Sequence, residues 1–229
     1  ISFILDAKHC YAIVGLNGSG KTTIIKLLLK LYEPDKGEIY IDGINLKDID
    51  TKDYQRNLGA VFQDFVKYPL TVQENIGCGN ISEIDNIHLI HEAAKKSGAD
   101  EFIPELPEKY DTQLHREWSG GVQLSLGQWQ KIAISRVFMN DFPIVVLDEP
   151  TASLDPKAEY EIYCKFRGLM EGRTSILIAH RFSTVKLADK IFVLQNGTII
   201  ESGSHEELMK LNGEYAALFN LQAEAYQEV

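Results

Sequence analysis

Residues 15–23, Gly-Leu-Asn-Gly-Ser-Gly-Lys-Thr-Thr, have the composition and spacing of a loop that binds phosphate. Gly15, Gly18 and Gly20 let the backbone bend and come close to an anion, so that successive N–H groups point inward. Lys21 would bring a full positive charge to the β and γ phosphates, and the Thr22 hydroxyl would ligate Mg²⁺. We therefore predict that the whole run binds a nucleotide through Gly15, Leu16, Asn17, Gly18, Ser19, Gly20, Lys21, Thr22 and Thr23.

Two adjacent carboxylates, Asp148 and Glu149, follow the apolar run 144–147, which is typical of a strand buried on both faces of a parallel sheet. Ligands of open α/β sheets gather at the carboxyl ends of the strands, so both acids are expected near the glycine-rich loop. One carboxylate is needed to hold Mg²⁺ and another to orient and deprotonate an attacking water. Because side chains alternate along a strand end, we assign Asp148 to the metal and Glu149 to the water.

Strand and helix patterns alternate in the first and last thirds of the chain. The apolar periodicities predict strands at 1–5, 10–14, 38–42, 58–62, 144–147 and 175–179, helices at 21–32, 128–139 and 214–226, and a hairpin of 191–195 and 198–201 about Asn196-Gly197. The stretch between these thirds is mostly helical. We predict an α/β fold of the P-loop NTPase type, with a parallel-sheet core, an antiparallel β edge and an inserted α-helical subdomain. The core with its β subdomain would comprise 1–76 and 142–229, and the helical subdomain 77–141.

The composition excludes several classes of protein. The 229 residues are 45% hydrophobic, which is enough for a substantial core and rules out a disordered chain. The net charge of −10, with no dense basic block, argues against a nucleic-acid partner. The widely spaced Cys10, Cys78 and Cys164 argue for a reducing compartment and against zinc. No apolar run is long enough to cross a bilayer, so we expect this piece to be soluble by itself. The chain begins at Ile1 rather than Met, within a strand-like pattern, so we expect a part of a longer polypeptide.

A glycine-rich loop and a distant acidic strand occur in many NTPases, and the run Leu-Ser-Leu-Gly-Gln at 124–128 narrows the choice. With it, the chain resembles the nucleotide-binding domain of ABC transporters over essentially its whole length, with the motifs in the family's order. The loop at 15–22 is similar to the Walker A motif, Gln63 to the Q-loop glutamine, and Ser125, Gly127 and Gln128 to the signature. The strand ending at Asp148 is similar to Walker B, Ser153 and Asp155 to the D-loop, and His180 to the switch histidine.

The resemblance implies an arrangement of two domains packed head to tail around two ATP molecules with Mg²⁺. Each ATP would lie between the Walker A loop of one copy and the Ser125 and Gly127 N–H groups of the other. Gln63 would bridge Mg²⁺ or the attacking water to a loop that senses the membrane domain, and His180 would hold the geometry of the water. Glu149, His180 and Gln63 are thus the expected catalytic residues, and Thr22, Gln63 and Asp148 the expected metal ligands.

Three further stretches, at 70–76, 179–184 and 213–215, resemble exporter-type domains that follow a transmembrane domain in the same chain. The resemblance implies a homodimer at the cytoplasmic face of a cell membrane, with the transmembrane domain fused upstream. Glu117 is the candidate coupling carboxylate in the loop before the signature. The transported substrate is not readable from this domain, because specificity would lie in the transmembrane part.

Two departures from the family pattern leave alternatives open. Leu126 stands where the signature usually has its first glycine, so a regulatory ATP-dependent clamp with weak turnover competes with an active ATPase. The family's adenine-stacking aromatic residue would lie upstream of Ile1, which predicts weaker ATP affinity for this chain than for one extended upstream. A third alternative is a chromosome or DNA-repair ATPase head. It is disfavoured because only 127 positions separate Lys21 from Asp148, too few for a long coiled-coil insertion.

Overall fold

A computed structural model describes residues 1–115, 121–148, 168, 170–178, 185–186 and 188–227. The chain forms two units, the first comprising 1–60, 142–149 and 170–229, and the second 61–141 and 150–169. The described strands are β1 (Cys10–Val14), β2 (Tyr40–Ile41), β3 (Ile44–Asn45), β4 (Leu58–Val61), β5 (Ile144–Asp148), β6 (Thr174–Ile178), β7 (Lys190–Gln195) and β8 (Thr198–Gly203). The described α-helices are α1 (Lys21–Leu28), α2 (Thr51–Gln55), α3 (Val72–Gly77), α4 (Ile87–Ser97), α5 (Leu126–Phe138), α6 (His205–Leu211) and α7 (Glu214–Gln227).

A six-stranded sheet with the order β4-β5-β6-β1-β7-β8 forms the centre of the first unit. The pairs β5–β6, β6–β1 and β1–β7 are parallel, whereas β7–β8 is an antiparallel hairpin about Asn196-Gly197. The parallel strands are buried almost continuously because they have no solvent-facing side, and this explains their unbroken apolar runs. The prediction of a parallel α/β core with an antiparallel edge and a helical insert is confirmed.

The segment 1–5 was expected to be a strand, and that prediction is wrong. Its alternation does correspond to burial, since Phe3 lies 5.2 Å from Phe192 between ring centroids while Ile4 is 78% exposed. Period-two burial requires only one covered face, whereas a strand also requires a ladder of backbone hydrogen bonds, and segment 1–5 pairs with none of the described strands. The predicted strand 38–42 is likewise shorter, because Asp42 and Gly43 both have positive φ and turn β2 into β3.

Helix α1 lies against the sheet through one apolar cluster in the first unit. The cluster joins the helix to strands β1, β5, β6 and β7 through Ile13, Ile24, Ile25, Leu29, Val146, Ile176, Ile178 and Leu194. Fully burying one such aliphatic side chain contributes about 1.5–3 kcal/mol. This packing fixes the start of α1 relative to the end of β1, and therefore fixes the loop between them.

The second unit is helical, with α5 at its centre. Helix α5 is buried around most of its circumference, with Trp129, Ile132 and Ala133 among its buried residues. The hydroxyl groups of Ser97 on α4 and Ser135 on α5 lie 2.7 Å apart. Five short 3₁₀ helices complete the described part of this region and the preceding hairpin, at Leu46–Asp48, Ile81–Glu83, Ala99–Glu101, Ile103–Glu105 and Lys109–Asp111.

The predicted C-terminal helix is α7, and its start is held by Glu201 on strand β8. The two Glu201 carboxylate oxygens accept hydrogen bonds from the backbone N–H groups of Glu214 and Tyr215, at 2.6 and 3.1 Å. Nδ1 of His205 and the hydroxyl of Tyr215 lie 2.8 Å apart, which links α6 to α7. Among the residues with described structure, no helix is both long and apolar enough to cross a membrane.

Candidate nucleotide-binding site

The loop 15–20 joins β1 to α1 in the first unit, and three of its glycines have backbone angles that side chains disfavour. The φ angles are 152° at Gly15, 78° at Gly18 and 107° at Gly20, which is the N-cap residue of α1. No side chain caps the helix start. The first N–H groups of α1 and its partial positive charge are therefore available to an anion.

Lys21 folds back over the loop that precedes it. Its ammonium group donates hydrogen bonds to the backbone oxygens of Gly15 and Leu16, at 2.8 and 3.0 Å, and the residue is only 6% exposed. The positive charge is thus held against the loop for which the sequence predicted a bound phosphate.

Gly15 is required by close approach as well as by its backbone angle. A Cβ atom at Gly15 would lie 2.2 Å from the backbone oxygen of Leu194 on β7, whereas a Cβ at Gly37, which also has positive φ, would meet nothing within 4 Å. We expect Gly15→Ala to lower the free energy of unfolding by about 3 kcal/mol and Gly37→Ala by about 1 kcal/mol. Chemical denaturation measures both values, and equal losses in the two variants would contradict the role of the Leu194 contact.

Asp148 lies at the same edge of the sheet as the loop, as expected for Walker B. Ile178 on β6 is in register with Ile13 on one side and with Asp148 on the other. The carboxyl end of β5 is therefore level with that of β1, about 10 Å away across one intervening strand. Asp148 is 8% exposed, so its carboxylate is largely withdrawn from bulk water.

The ammonium, hydroxyl and carboxylate groups of these residues fit a nucleoside triphosphate bound with Mg²⁺. The loop supplies a buried ammonium group, and the buried Ser19 hydroxyl has no hydrogen-bond partner within the described structure. Thr22 follows Lys21 with an exposed side chain. The part of the chain with described structure contains no cluster of three or more His, Cys, Asp or Glu residues. The Thr22 hydroxyl and the Asp148 carboxylate are oxygen donors of the kind that Mg²⁺ takes as ligands, together with phosphate oxygens and water.

The signature residues lie at the start of α5 in the second unit. The Ser125 hydroxyl accepts a hydrogen bond from the N–H of Gln128 at 3.3 Å, and the Gln128 side chain accepts one from the N–H of Ser125 at 2.8 Å. This reciprocal capping box fixes the backbone conformation at the start of α5 and leaves Ser125 exposed. Leu126 is the first helical residue and is 44% exposed, so the leucine does not distort the helix start.

The remaining predicted site residues are placed only in part. Gln63 follows β4 in the second unit and is exposed. Outside the described residues lie Glu149, Ser153, Asp155, His180 and the coupling candidate Glu117. Lys21 and Asp148 thus belong to one unit, and Gln63, Ser125, Gly127 and Gln128 to the other, and the roles of these residues stay predictions.

The sequence analysis missed two polar residues in the second unit, the buried Asn75 and the half-buried Arg136. Both interrupt apolar helical patterns, Asn75 beside Val72 and Ile76, and Arg136 within the run 132–138. A polar or charged residue on a buried helix face requires specific partners, and that signal was present in the sequence. A third omission, the approach of Leu194 to Gly15, joins residues that are far apart in the chain and left no local signal.

Comparison with known proteins gives one family. The family model described as "ABC transporter" matches residues 1–152. The chain is 45% identical over 199 residues to the subtilin transport ATP-binding protein SpaT of Bacillus subtilis, covering 87% of this chain and 32% of that protein. It is 42% identical over 222 residues to the ATP-dependent lipid A-core flippase of Legionella pneumophila, covering 97% of this chain and 37% of the flippase.

The fold is also similar to that of a solved exporter. A structure described as a bacterial Atm1-family ABC exporter with ATP bound aligns with a TM-score of 0.89 and 37% sequence identity. The alignment covers 97% of this chain and 38% of the exporter chain. The chain thus spans about a third of the length of these exporters and transport proteins.

Proposed function

The chain belongs to the ABC transporter family as its nucleotide-binding domain, and from that premise we propose that it binds and hydrolyses Mg²⁺-ATP to drive a membrane exporter. The observation that carries the proposal is the position of Lys21. Its ammonium is held against the backbone of a glycine-rich loop, at the edge of the sheet where Asp148 ends β5. The residues that bind the phosphates and those that bind the metal would thus lie at the same edge of the sheet.

Each residue has a separate task in this function. The loop N–H groups and Lys21 bind and orient the phosphates, while Thr22 and Asp148 hold the metal, with Gln63 as a further ligand. Mg²⁺ bound to ATP would neutralise the charge that develops on the phosphate oxygens. Glu149 orients the attacking water and accepts its proton, and His180 holds that geometry. Ser153 and Asp155 would lie near the partner copy as the D-loop.

The partner at the site is a second copy of the same domain. The start of α5 is exposed at Ser125 and Leu126, and the first N–H groups of a helix attract anions. Ser125 and Gly127 of one copy would therefore complete the phosphate site of the other. We propose that the domain acts at the cytoplasmic face of a membrane, next to a transmembrane domain, because its relatives are longer proteins described as exporters and transporters. Nucleic acid is not an expected partner.

Hydrolysis that depends on dimer formation tests this function. Phosphate release is measured at a series of protein concentrations with saturating Mg²⁺-ATP. At low protein concentration the specific activity should rise in proportion to concentration, because two copies form each site. Chelation of Mg²⁺ with EDTA should abolish the activity. Activity that is constant per copy down to nanomolar protein would contradict the shared site.

A regulatory clamp with weak turnover is the second candidate, and it is favoured only by Leu126. The exposed leucine side chain would face the approaching partner. Because the capping box of α5 is intact, we expect Leu126→Gly to raise kcat by less than about threefold. The measurement is steady-state phosphate release from both proteins under the same conditions. A rise of tenfold or more would instead support the regulatory protein with weak turnover.

A further inference from the structure

Two polar side chains in the second unit, the buried Asn75 and the half-buried Arg136, hold an exposed stretch of backbone against the signature helix. We propose that Asn75 and Arg136, here named the clamp, are positioning residues that make the 66–71 segment move together with α5. The inference rests on the proposed function, because in the nucleotide-bound dimer the start of α5 would contact the ATP of the partner copy, and a shift of α5 would then accompany ATP binding. It concerns residues outside the phosphate site itself.

Arg136 provides the connection from α5. Its guanidinium donates to the backbone oxygen of Val66 at 2.8 Å, and to the backbone and side-chain oxygens of Asn75 at 3.0 and 2.9 Å. The same group lies over the ring of Tyr68, 4.8 Å from its centroid. Burial lowers the pKa of Arg136, but a guanidinium stays charged at neutral pH. The half-buried charge is therefore compensated in part by these oxygens and by the ring.

Asn75 provides the connection from α3. It is fully buried, and its side-chain amide donates to the backbone oxygens of Tyr68, Leu70 and Thr71, at 3.1, 3.2 and 2.9 Å. One side chain thus restrains three carbonyl groups of the segment. Since Arg136 holds the Asn75 side chain by its oxygen, the two residues form a single hydrogen-bond network.

The helices that carry the clamp are themselves closely fitted. A Cβ atom at Gly79, just after α3, would lie 2.1 Å from the backbone oxygen of Arg136. The side chain of Asn140, after α5, donates to the backbone oxygen of Gly79 at 2.7 Å. The end of α3 and the end of α5 therefore cannot shift independently, and the clamp extends this rigidity to the 66–71 segment.

The segment carries exposed apolar side chains although its backbone is restrained. Val66 is 55% exposed and Tyr68 37% exposed, while the carbonyls of both residues bind the clamp. The restrained backbone gives these side chains a fixed position relative to α5. A displacement of the signature at Ser125 would consequently be passed to this exposed surface.

Cleavage by trypsin after Lys67 tests the clamp, because the bond that is cut lies between the restrained residues Val66 and Tyr68. A protease requires local opening of the chain, so the cleavage rate reports how firmly the segment is held. We expect Arg136→Lys, which keeps the charge but not the forked geometry, to raise the rate at least tenfold. Asn75→Asp should do the same, because it loses the amide donors while keeping an acceptor for Arg136. Either variant that folds, judged by its thermal unfolding, is sufficient for the test.

Lys131→Gln is the matched control on the same helix. Lys131 pairs with Glu101 at 2.6 Å and lies in α5, but none of its described contacts involves the 66–71 segment. Its cleavage rate after Lys67 should stay within twofold of wild type. A rate within twofold of wild type for Arg136→Lys or Asn75→Asp would overturn the clamp.

The connection to nucleotide is measured with Mg²⁺ and a non-hydrolysable ATP analogue. In wild type, we expect the analogue to form a dimer and to slow cleavage after Lys67 at least fivefold. In Arg136→Lys the dimer should still form, but the analogue should slow cleavage after Lys67 less than twofold. A protein that is merely destabilised would not keep dimer formation while losing this protection. Equal slowing in both proteins would overturn the coupling. Failure of wild type to dimerise would overturn the proposed function, while the comparison without nucleotide would still decide on the clamp.

Discussion

Lys21→Ala should bind Mg²⁺-ATP about 100- to 1,000-fold more weakly than wild type. The Lys21 ammonium is buried and held by the oxygens of Gly15 and Leu16, so no neighbouring cation can take its position without rebuilding the loop. Truncating one partner of a buried, hydrogen-bonded charge pair costs about 2–5 kcal/mol, and 1.4 kcal/mol corresponds to a factor of ten. Titration calorimetry with ATP and Mg²⁺ gives the dissociation constants directly.

Lys26→Ala is the control for the loss of charge. Lys26 lies on the same helix, and its ammonium is over the ring of Tyr32 at 5.2 Å. The Lys26→Ala substitution removes the same charge from α1. We expect its dissociation constant for ATP to stay within about twofold of wild type, since an exposed cation–π pair contributes about 0.5–1 kcal/mol to stability. If Lys21→Ala and Lys26→Ala bind ATP equally well, the phosphate site is not at this loop.

Glu149→Gln should reduce kcat by a factor of about 10² to 10⁴ while leaving the ATP dissociation constant within about threefold of wild type. The amide cannot accept the proton of the attacking water, whereas the phosphates would be bound by the loop N–H groups and by Lys21, which the substitution leaves unchanged. The ATP-bound dimer should therefore accumulate. Single-turnover phosphate release measures the chemical step, and light scattering with ATP measures the dimer.

Glu171→Gln makes the same change at an exposed position before β6, at the amino edge of the sheet. Its kcat should equal that of wild type, because the predicted site lies at the carboxyl edge. Undiminished turnover in Glu149→Gln would remove Glu149 from the role of base. A loss of both turnover and ATP binding in Glu149→Gln would instead indicate a structural role.

Much of the first unit could be predicted from local patterns. The strands that form the parallel sheet are continuous apolar runs because both of their faces are buried, and the glycine spacing at 15–20 belongs to one loop. A helix start in the second unit is readable in the same way, since Thr71 and Glu74 have the spacing of a capping box and form one in the structure. These features depend on residues a few positions apart, so their physics is contained in a short stretch of chain.

Other features depend on contacts between distant residues and were not predicted. Segment 1–5 has the alternation of a strand but pairs with none of the described strands. The helix predicted at 21–32 ends at Leu28, and Lys30 beyond it has a positive φ. The three carbonyls bound by Asn75 are only its near neighbours, but the guanidinium that orients it comes from Arg136, sixty-one positions away. Sequence periodicity shows that a side chain is buried and does not show what it meets.

The contact of the Lys21 ammonium with its own loop has a kinetic consequence. The lysine already occupies the oxygens that shape the loop, so the chain has lost the conformational entropy of this turn during folding rather than during ligand capture. Nucleotide association should accordingly be a single exponential process whose rate rises linearly with ligand concentration, without a slow ordering phase.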